Sequence, residues 1–357
     1  MLGAVALEEA LPVCAGCGGA EAEVVEHLHE LSLRKGTWQR WQVLRCHGCD
    51  LRYVHPRLHP EALEAIYAGG EYGFERPGLD GPGAERYRQR LLDEVARFRA
   101  GGALLDVGCA TGEFLAAARL RGWEVQGVEL SPYAAALARQ RHGLPVFAGT
   151  LREARFLAER FDVVTLWDVI EHLPDLRADL EEVRRLLRPG GLLGLETPNW
   201  DSIYRRMLGR RWPAYQPRLH LYYFTRASAA GLLARAGFDV LSSRTEVVGF
   251  FSAQGRARGL RPRLLRGVLR EVMVKSLLLW PDSLVTRAVR AGLGPPKVDA
   301  VSRGSFNAQC EGHPSGEDGG GPAQRCGSLG AILDRWLDPF LEGRGMGEQL
   351  RVYGRKR

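Results

Sequence analysis

The chain of 357 residues has no run of about 18 uncharged apolar residues, the length a helix needs to cross a bilayer. Met1–Pro12 holds Glu8 and Glu9 but no Lys or Arg, so the charged start of a secretory signal is missing and a cytoplasmic protein is expected. Internal repeats are absent. A net basic excess is absent too, outside one segment: the net charge is +7, and 256–297 alone carries ten Lys/Arg against Glu271 and Asp282. The near-neutral remainder excludes a general nucleic-acid-binding surface, so no nucleic-acid partner is expected. The seven cysteines are an odd number, and a cytoplasmic chain does not build a disulfide framework.

Hydrophobic patterning indicates an α/β fold, because strands and helices alternate from residue 104 onward. Strands are expected at Leu104–Val107, Trp123–Glu129, Phe161–Trp167, Gly191–Glu196, from Phe238, and at Gln349–Tyr353. The intervening helices are Glu113–Arg121, Ser131–His142, Leu176–Leu187 and Ala227–Ala236. Ser131 and Pro132 open the second of these as cap and first helical residue. The chain divides into a cysteine-rich module at 1–56, a helical connector at 57–100 and a core at 101–250. A basic amphipathic helical insertion follows at 251–303, then a Gly/Ser/Pro-rich loop expected to be disordered at 304–330, and the last helix and strand at 331–357.

Leu105-Asp-Val-Gly-Cys-Ala-Thr-Gly-Glu113 places Gly108 and Gly112 at a strand-to-helix turn, where backbone can approach a ligand closely. Their spacing fits neither the Gly-x-Gly-x-x-Gly dinucleotide loop nor a nucleoside-triphosphate loop. Glu129 ends the next strand, where a carboxylate can accept bonds from both ribose hydroxyls of an adenosine ligand. Together these residues resemble the class I methyltransferase signature. The stretches Phe161 to Leu173, Leu187 to Leu193 and Leu221 to Thr225 match the same family in order, so the resemblance covers about 100–245. It implies a Rossmann-like seven-stranded sheet and S-adenosylmethionine as cofactor. By that resemblance Asp106 and the loop Gly108, Cys109, Ala110 and Gly112 meet the methionine end. Glu129 and Leu130 meet the ribose, Thr150 and Leu151 the adenine, and Trp167 lies beside the cofactor. An acid often stands at the Thr150 position in this family.

Methyl transfer needs an aligned acceptor and, for a hydroxyl or acidic carbon, a base. Candidates are Asp168, His172 and His220. A helical turn after Trp167 would put Asp168 and His172 on one face. His172 serves either as base or as a tie that fixes its loop through Nδ1–H. The aromatic stretch 197–223 is too long for a plain connection and suggests a lid or acceptor pocket. His220, within it, either contacts the acceptor or packs.

Cys14-x-x-Cys17 and Cys46-x-x-Cys49 form a four-thiolate set suited to a structural Zn²⁺, with a small hairpin between the two knuckles. The module resembles the front end of methyltransferases of sugar and cell-surface glycan pathways. That resemblance implies a small-molecule, sugar or lipid-linked glycan acceptor. The basic segment 256–297 is either a helical subdomain with its charges in water or a peripheral contact with the inner membrane surface. A quinone or aromatic O-methyltransferase and an inactive zinc scaffold on the same fold are the alternatives.

Overall fold

Seven buried or half-buried strands make the main sheet of the computed structural model. The structure describes residues 7–8, 13–32, 37–68, 82–246, 342–343 and 345–357. These belong to one unit formed by 1–248 and 336–357. The expectations for 251–303, for the loop 304–330 and for a helix ending at Leu341 lie outside the described residues.

β6 (Ala103–Val107) is buried at all five positions, as a parallel strand covered on both faces must be. It pairs in parallel with β7 (Glu124–Glu129) on one side and β9 (Phe161–Trp167) on the other. β8 (Val146–Ala148) extends the sheet beyond β7, and β10 (Leu187–Pro198) lies beyond β9. β13 (Gln349–Lys356) inserts antiparallel between β10 and β12 (Phe238–Glu246). The order is β12-β13-β10-β9-β6-β7-β8. The crossover helices α3 (Glu113–Leu120), α4 (Pro132–His142) and α5 (Leu176–Leu186) fall where the patterning puts them. Ser131 caps α4 by accepting from Ala134 N–H. The short α6 (Ile203–Leu208) interrupts the connection beyond β10, and α7 (Arg226–Arg235) opens on a reciprocal Thr225/Ser228 capping box.

Chain order reverses between β6 and β9, since successive strands leave β6 toward β7 and β8 and then return on the other side. Such a switch point opens a crevice at the carboxyl ends of the two strands. The loops 108–112 and 168–172 flank it.

The cysteine module forms its own antiparallel sheet from β2 (Ala22–Ser32), β3 (Thr37–Cys46) and β4 (Arg52–His55). A fourth strand comes from the core: β11 (Tyr222–Tyr223) pairs with β4, not with the main sheet. Val54 N–H donates to Leu221 O at 2.9 Å beside that pairing. β1 (Leu7–Glu8) pairs with β5 (Arg57–Leu58), and α1 (Pro60–Ala68) comes next. α2 (Pro82–Ala96) packs its buried Leu91, Leu92 and Val95 into the core that also holds Leu104, Leu115 and Val163. Arg351 of β13 is 1% exposed and pairs with Glu94 of α2, Glu196 of β10 and Glu246 of β12. One guanidinium thereby joins four elements.

Candidate active site

At the first of the two loops Gly108 and Gly112 both take left-handed backbone, with φ of 71° and 90°. The structure gives them different reasons. A Cβ on Gly108 would sit 2.5 Å from Val169 Cγ2, in the second loop. One on Gly112 would sit 2.6 Å from Leu144 Cδ1 and 3.0 Å from Ala138 Cβ, so this glycine lets α3 pack against α4. Gly108 lines the cavity at the switch point; Gly112 and Cys109 do not. The buried Cys109 side chain instead sits where it would meet a Cβ on Gly127, within the core.

Ala110, also left-handed at φ 49°, turns its N–H to Glu129 Oε2 at 2.8 Å. Glu129 Oε1 accepts from Ser131 N–H at 2.8 Å. The carboxylate is 5% exposed and borders the cavity, and its two oxygens together offer more acceptor sites than the backbone fills. Burial pushes its pKa up, against the backbone hydrogen bonds that favour the charged form. Asp106 lies beneath, away from the cavity surface, and accepts from Thr165 Oγ1 at 2.6 Å. Burial, with help from Glu129, pushes its carboxyl up to about 7. Leu130, Thr150 and Leu151 continue the same wall. Glu153, outside the cavity lining, fixes this turn: its Oε2 accepts from both Thr150 N–H and Oγ1–H at 2.8 Å. Trp167 packs edge-on against Phe114 at 5.6 Å, and its buried Nε1 has no partner among the described residues.

At the second loop the expectation of one helical face fails. Asp168 is left-handed at φ 54°, and the helix between β9 and α5 is a single 3₁₀ turn over Ile170–His172. A non-glycine residue held there is strained and breaks the helix before it starts. Asp168 N–H donates to Glu196 O at 2.9 Å, and Gln349 Nε2 donates to its Oδ1 at 3.3 Å.

His172 Nδ1 lies 3.0 Å from Leu219 O and 2.9 Å from Tyr67 Oη. The ring of His220 meets it edge-on at 4.7 Å. Burial, reinforced by the two rings' proximity, lowers the pKa of His172 well below the usual imidazole range. Burial lowers His220 to about 4. His172 lines the cavity; His220 stands behind it, with Nδ1 unpartnered among the described residues. The aromatic connection beyond β10 is a buried cluster, with Trp212 and Tyr215 at 5.0 Å and Trp200 and Tyr223 at 5.5 Å.

The cavity has a volume of about 1460 Å³, above the roughly 300–1,000 Å³ of a single small-ligand pocket. One wall is the switch-point loops. The facing wall is built from Val13, Cys14, Ala15 and Gly18 of the cysteine module, with Arg57, His59 and Tyr67 from the stretch after it. Arg152 and Arg177 complete a charged rim together with Asp175 and Asp179, and Arg152 Nε lies 3.4 Å from Asp179 Oδ1. Sequence reasoning does not reach Tyr67, Glu171 and this rim, because nothing in local spacing connects them to the loops.

The four thiols meet as their spacing requires. Cys14 Sγ lies 3.5 Å from Cys49 Sγ, Cys17 Sγ lies 3.5 Å from Cys46 Sγ, and all four sulfurs fall within 4.8 Å of one another. Tetrahedral Zn²⁺ with bonds of about 2.3 Å needs sulfurs about 3.8 Å apart, so the donor set fits that ion. Gly16, Gly19 and Gly48 stand where a Cβ would come within 3.3–3.4 Å of a sulfur.

Residues 83–243 match the family model of a methyltransferase domain. With the strand order and loops above, this part of the chain is a class I S-adenosylmethionine-dependent methyltransferase domain. A ubiquinone biosynthesis O-methyltransferase of Cereibacter sphaeroides is 37% identical over 116 residues, 30% of this chain and 47% of that protein. The enzyme of the same name from Pseudomonas syringae pv. tomato is 35% identical over 121 residues, 31% and 50% of the two chains. The chain thus spans about half the length of the curated relatives it matches. A solved S-adenosylmethionine-dependent methyltransferase of Thermotoga maritima aligns with a TM-score of 0.46 and 17% identity, covering 83% of this chain and all of that one. Among the described residues no helix is long and apolar enough to cross a membrane.

Proposed function

We propose that the protein transfers the methyl group of S-adenosylmethionine to oxygen or carbon of a small, glycan-type acceptor, with a structural zinc ion on its four paired cysteines. The observation that carries this reading is that one cavity is lined by Glu129, Gly108 and Ala110 as well as by His172. In it the spare acceptor sites of Glu129 take the ribose hydroxyls. Gly108 and Ala110 take the methionine end above Asp106, Thr150 and Leu151 border the adenine, and the unpartnered Trp167 Nε1 faces a polar ligand atom. The cofactor supplies a methyl group already activated by a sulfonium. What remains for the chain is to orient the acceptor, exclude water and take its proton. His172, kept neutral by burial, is the base; His220 and Leu219 hold its ring; Asp168 stands at the mouth.

Support for a glycan-type acceptor comes from the second wall. The rim of mixed charge, Arg57, His59 and Arg177 beside Asp175 and Asp179, offers both donors and acceptors to a hydroxyl-rich molecule such as a sugar. A second reading, an aromatic or quinone-precursor O-methylation, is favoured by the names of the relatives. Incubating the purified protein with methyl-labelled S-adenosylmethionine and, separately, nucleotide sugars, lipid-linked saccharides and quinone precursors distinguishes them. Label in the sugar arm supports the first reading and label in the quinone arm the second. Failure to bind the cofactor in calorimetry removes both.

A further inference from the structure

Glu171 is 1% exposed, yet only half of its carboxyl group is used. Oε2 accepts from Thr197 Oγ1 at 2.9 Å. Oε1 has no hydrogen-bond partner among the described residues and lies 4.0 Å from His172 Nε2. The residue is fixed from two sides, since its backbone carbonyl accepts from Leu221 N–H at 2.7 Å, one residue after His220. His172 is fixed at its other edge, and a ring that donates Nδ1–H to Leu219 O presents Nε2 as an acceptor. A buried carboxyl oxygen with nothing to bind is costly unless it meets a charge at some stage of function.

We propose that Glu171 and His172 work as one buried proton-accepting pair in the methyl transfer proposed above: His172 Nε2 takes the acceptor's proton and Glu171 Oε1 supplies the charge that holds it there. The acceptor's O–H or acidic C–H bond breaks and its electron pair forms the bond to the methyl carbon. The pair of the broken carbon–sulfur bond stays on sulfur, and the proton goes to Nε2. The Glu171–His172 pair passes from net negative to neutral in the step that removes positive charge from sulfur. The buried site is therefore balanced before and after. Glu171 is a positioning residue in this scheme, acting through the ring it faces.

Before a cation enters the cavity the pair holds a proton of its own. Asp168 and Glu196 face Glu171 with like charge, His172, His220 and Thr197 face it uncharged, and Arg351 is committed to Glu94, Glu196 and Glu246. Burial first, and then Asp168, hold the carboxyl well above the usual range. A cationic ligand therefore displaces that proton and a neutral one does not.

The test is calorimetry of S-adenosylmethionine and of the uncharged-sulfur product S-adenosylhomocysteine, in buffers of different ionisation enthalpy. Wild type is expected to release about one proton more with the sulfonium ligand than with the thioether. Glu171→Gln, which keeps the Thr197 hydrogen bond through its amide oxygen, is expected to abolish that difference while binding the thioether within about threefold of wild type. Asp106 and Glu129 are common to wild type and Glu171→Gln, so the comparison cancels their share. An unchanged difference in Glu171→Gln overturns the proposal. So does a divalent cation retained beyond that on the four cysteines and lost in Glu171→Gln, because the metal would then supply the charge. If Glu171→Gln fails to bind the thioether, infrared difference spectra of wild type against Glu171→Asp, whose band differs in position, decide instead. Loss of a protonated-carboxyl band with the sulfonium ligand alone supports the pair, and no loss overturns it. Wild type that binds neither ligand refutes the methyltransferase reading itself, which is a separate outcome.

Discussion

Single residues in the two loops carry separable burdens, and substitutions tell them apart. Gly112→Ala forces a Cβ into Leu144 and Ala138 at a left-handed position, so it is expected to cost about 1–3 kcal/mol of stability, read as a lowered Tm. Gly108→Ala pushes on Val169, three residues before His172, and should depress turnover more than stability. The buried histidines set an acid limit. A depressed pKa means stability present above the ordinary imidazole value of about 6.5 and lost as pH falls through the folded value. For His220 that window runs down to about 4. His220→Phe is expected to flatten the fall in Tm across it, which thermal melts over that range measure.

Elements explain why the cysteine module belongs to the site. β11 leaves the core to complete the module's sheet, so β4 holds Leu221, and Leu221 holds Glu171. Val54→Pro removes the N–H that donates to Leu221 O. It is expected to lower acceptor turnover at least about tenfold while cofactor affinity changes little, since the loops at β6 and β7 are untouched. Kinetics and calorimetry on the same sample check the split. β13 is the other junction. Arg351→Met leaves Glu196 buried without its cation, while Glu94 keeps Arg244 and Glu246 keeps Arg90, and a loss of about 3–5 kcal/mol in denaturant unfolding is expected.

For the molecule as a whole, Cys14 of the proposed zinc set lines the cavity of the proposed acceptor site, so acceptor binding should follow metal content. Removing zinc with a chelator, or Cys46→Ser, is expected to lower Tm and weaken acceptor binding, with metal analysis of the untreated protein giving about one zinc per chain. A protein that holds no zinc, or that loses none of its stability on chelation, would contradict this. The main sheet was legible because a parallel strand covered on both faces must read as an apolar run, as Phe161–Trp167 does. The strand-to-helix turn at Gly108 and the cysteine knuckles were equally legible, since their chemistry is written within a few residues. Glu171 stands in a stretch whose histidine draws the eye, and its unpartnered oxygen could be seen only once Thr197 and Leu221 surrounded it.

By itself the sequence determined what depends on near neighbours: the sheet's strands, the acid ending the second strand of the core, and the two cysteine pairs. Only the tertiary structure decided which surfaces face each other. It set the module's wall across from the cofactor loops, turned Tyr222–Tyr223 into a strand of the module, and brought His220 and Leu219 behind His172. Those contacts join residues about fifty to two hundred positions apart. Their pairing comes from burying both sheets around one cavity, and no short-range pattern encodes it.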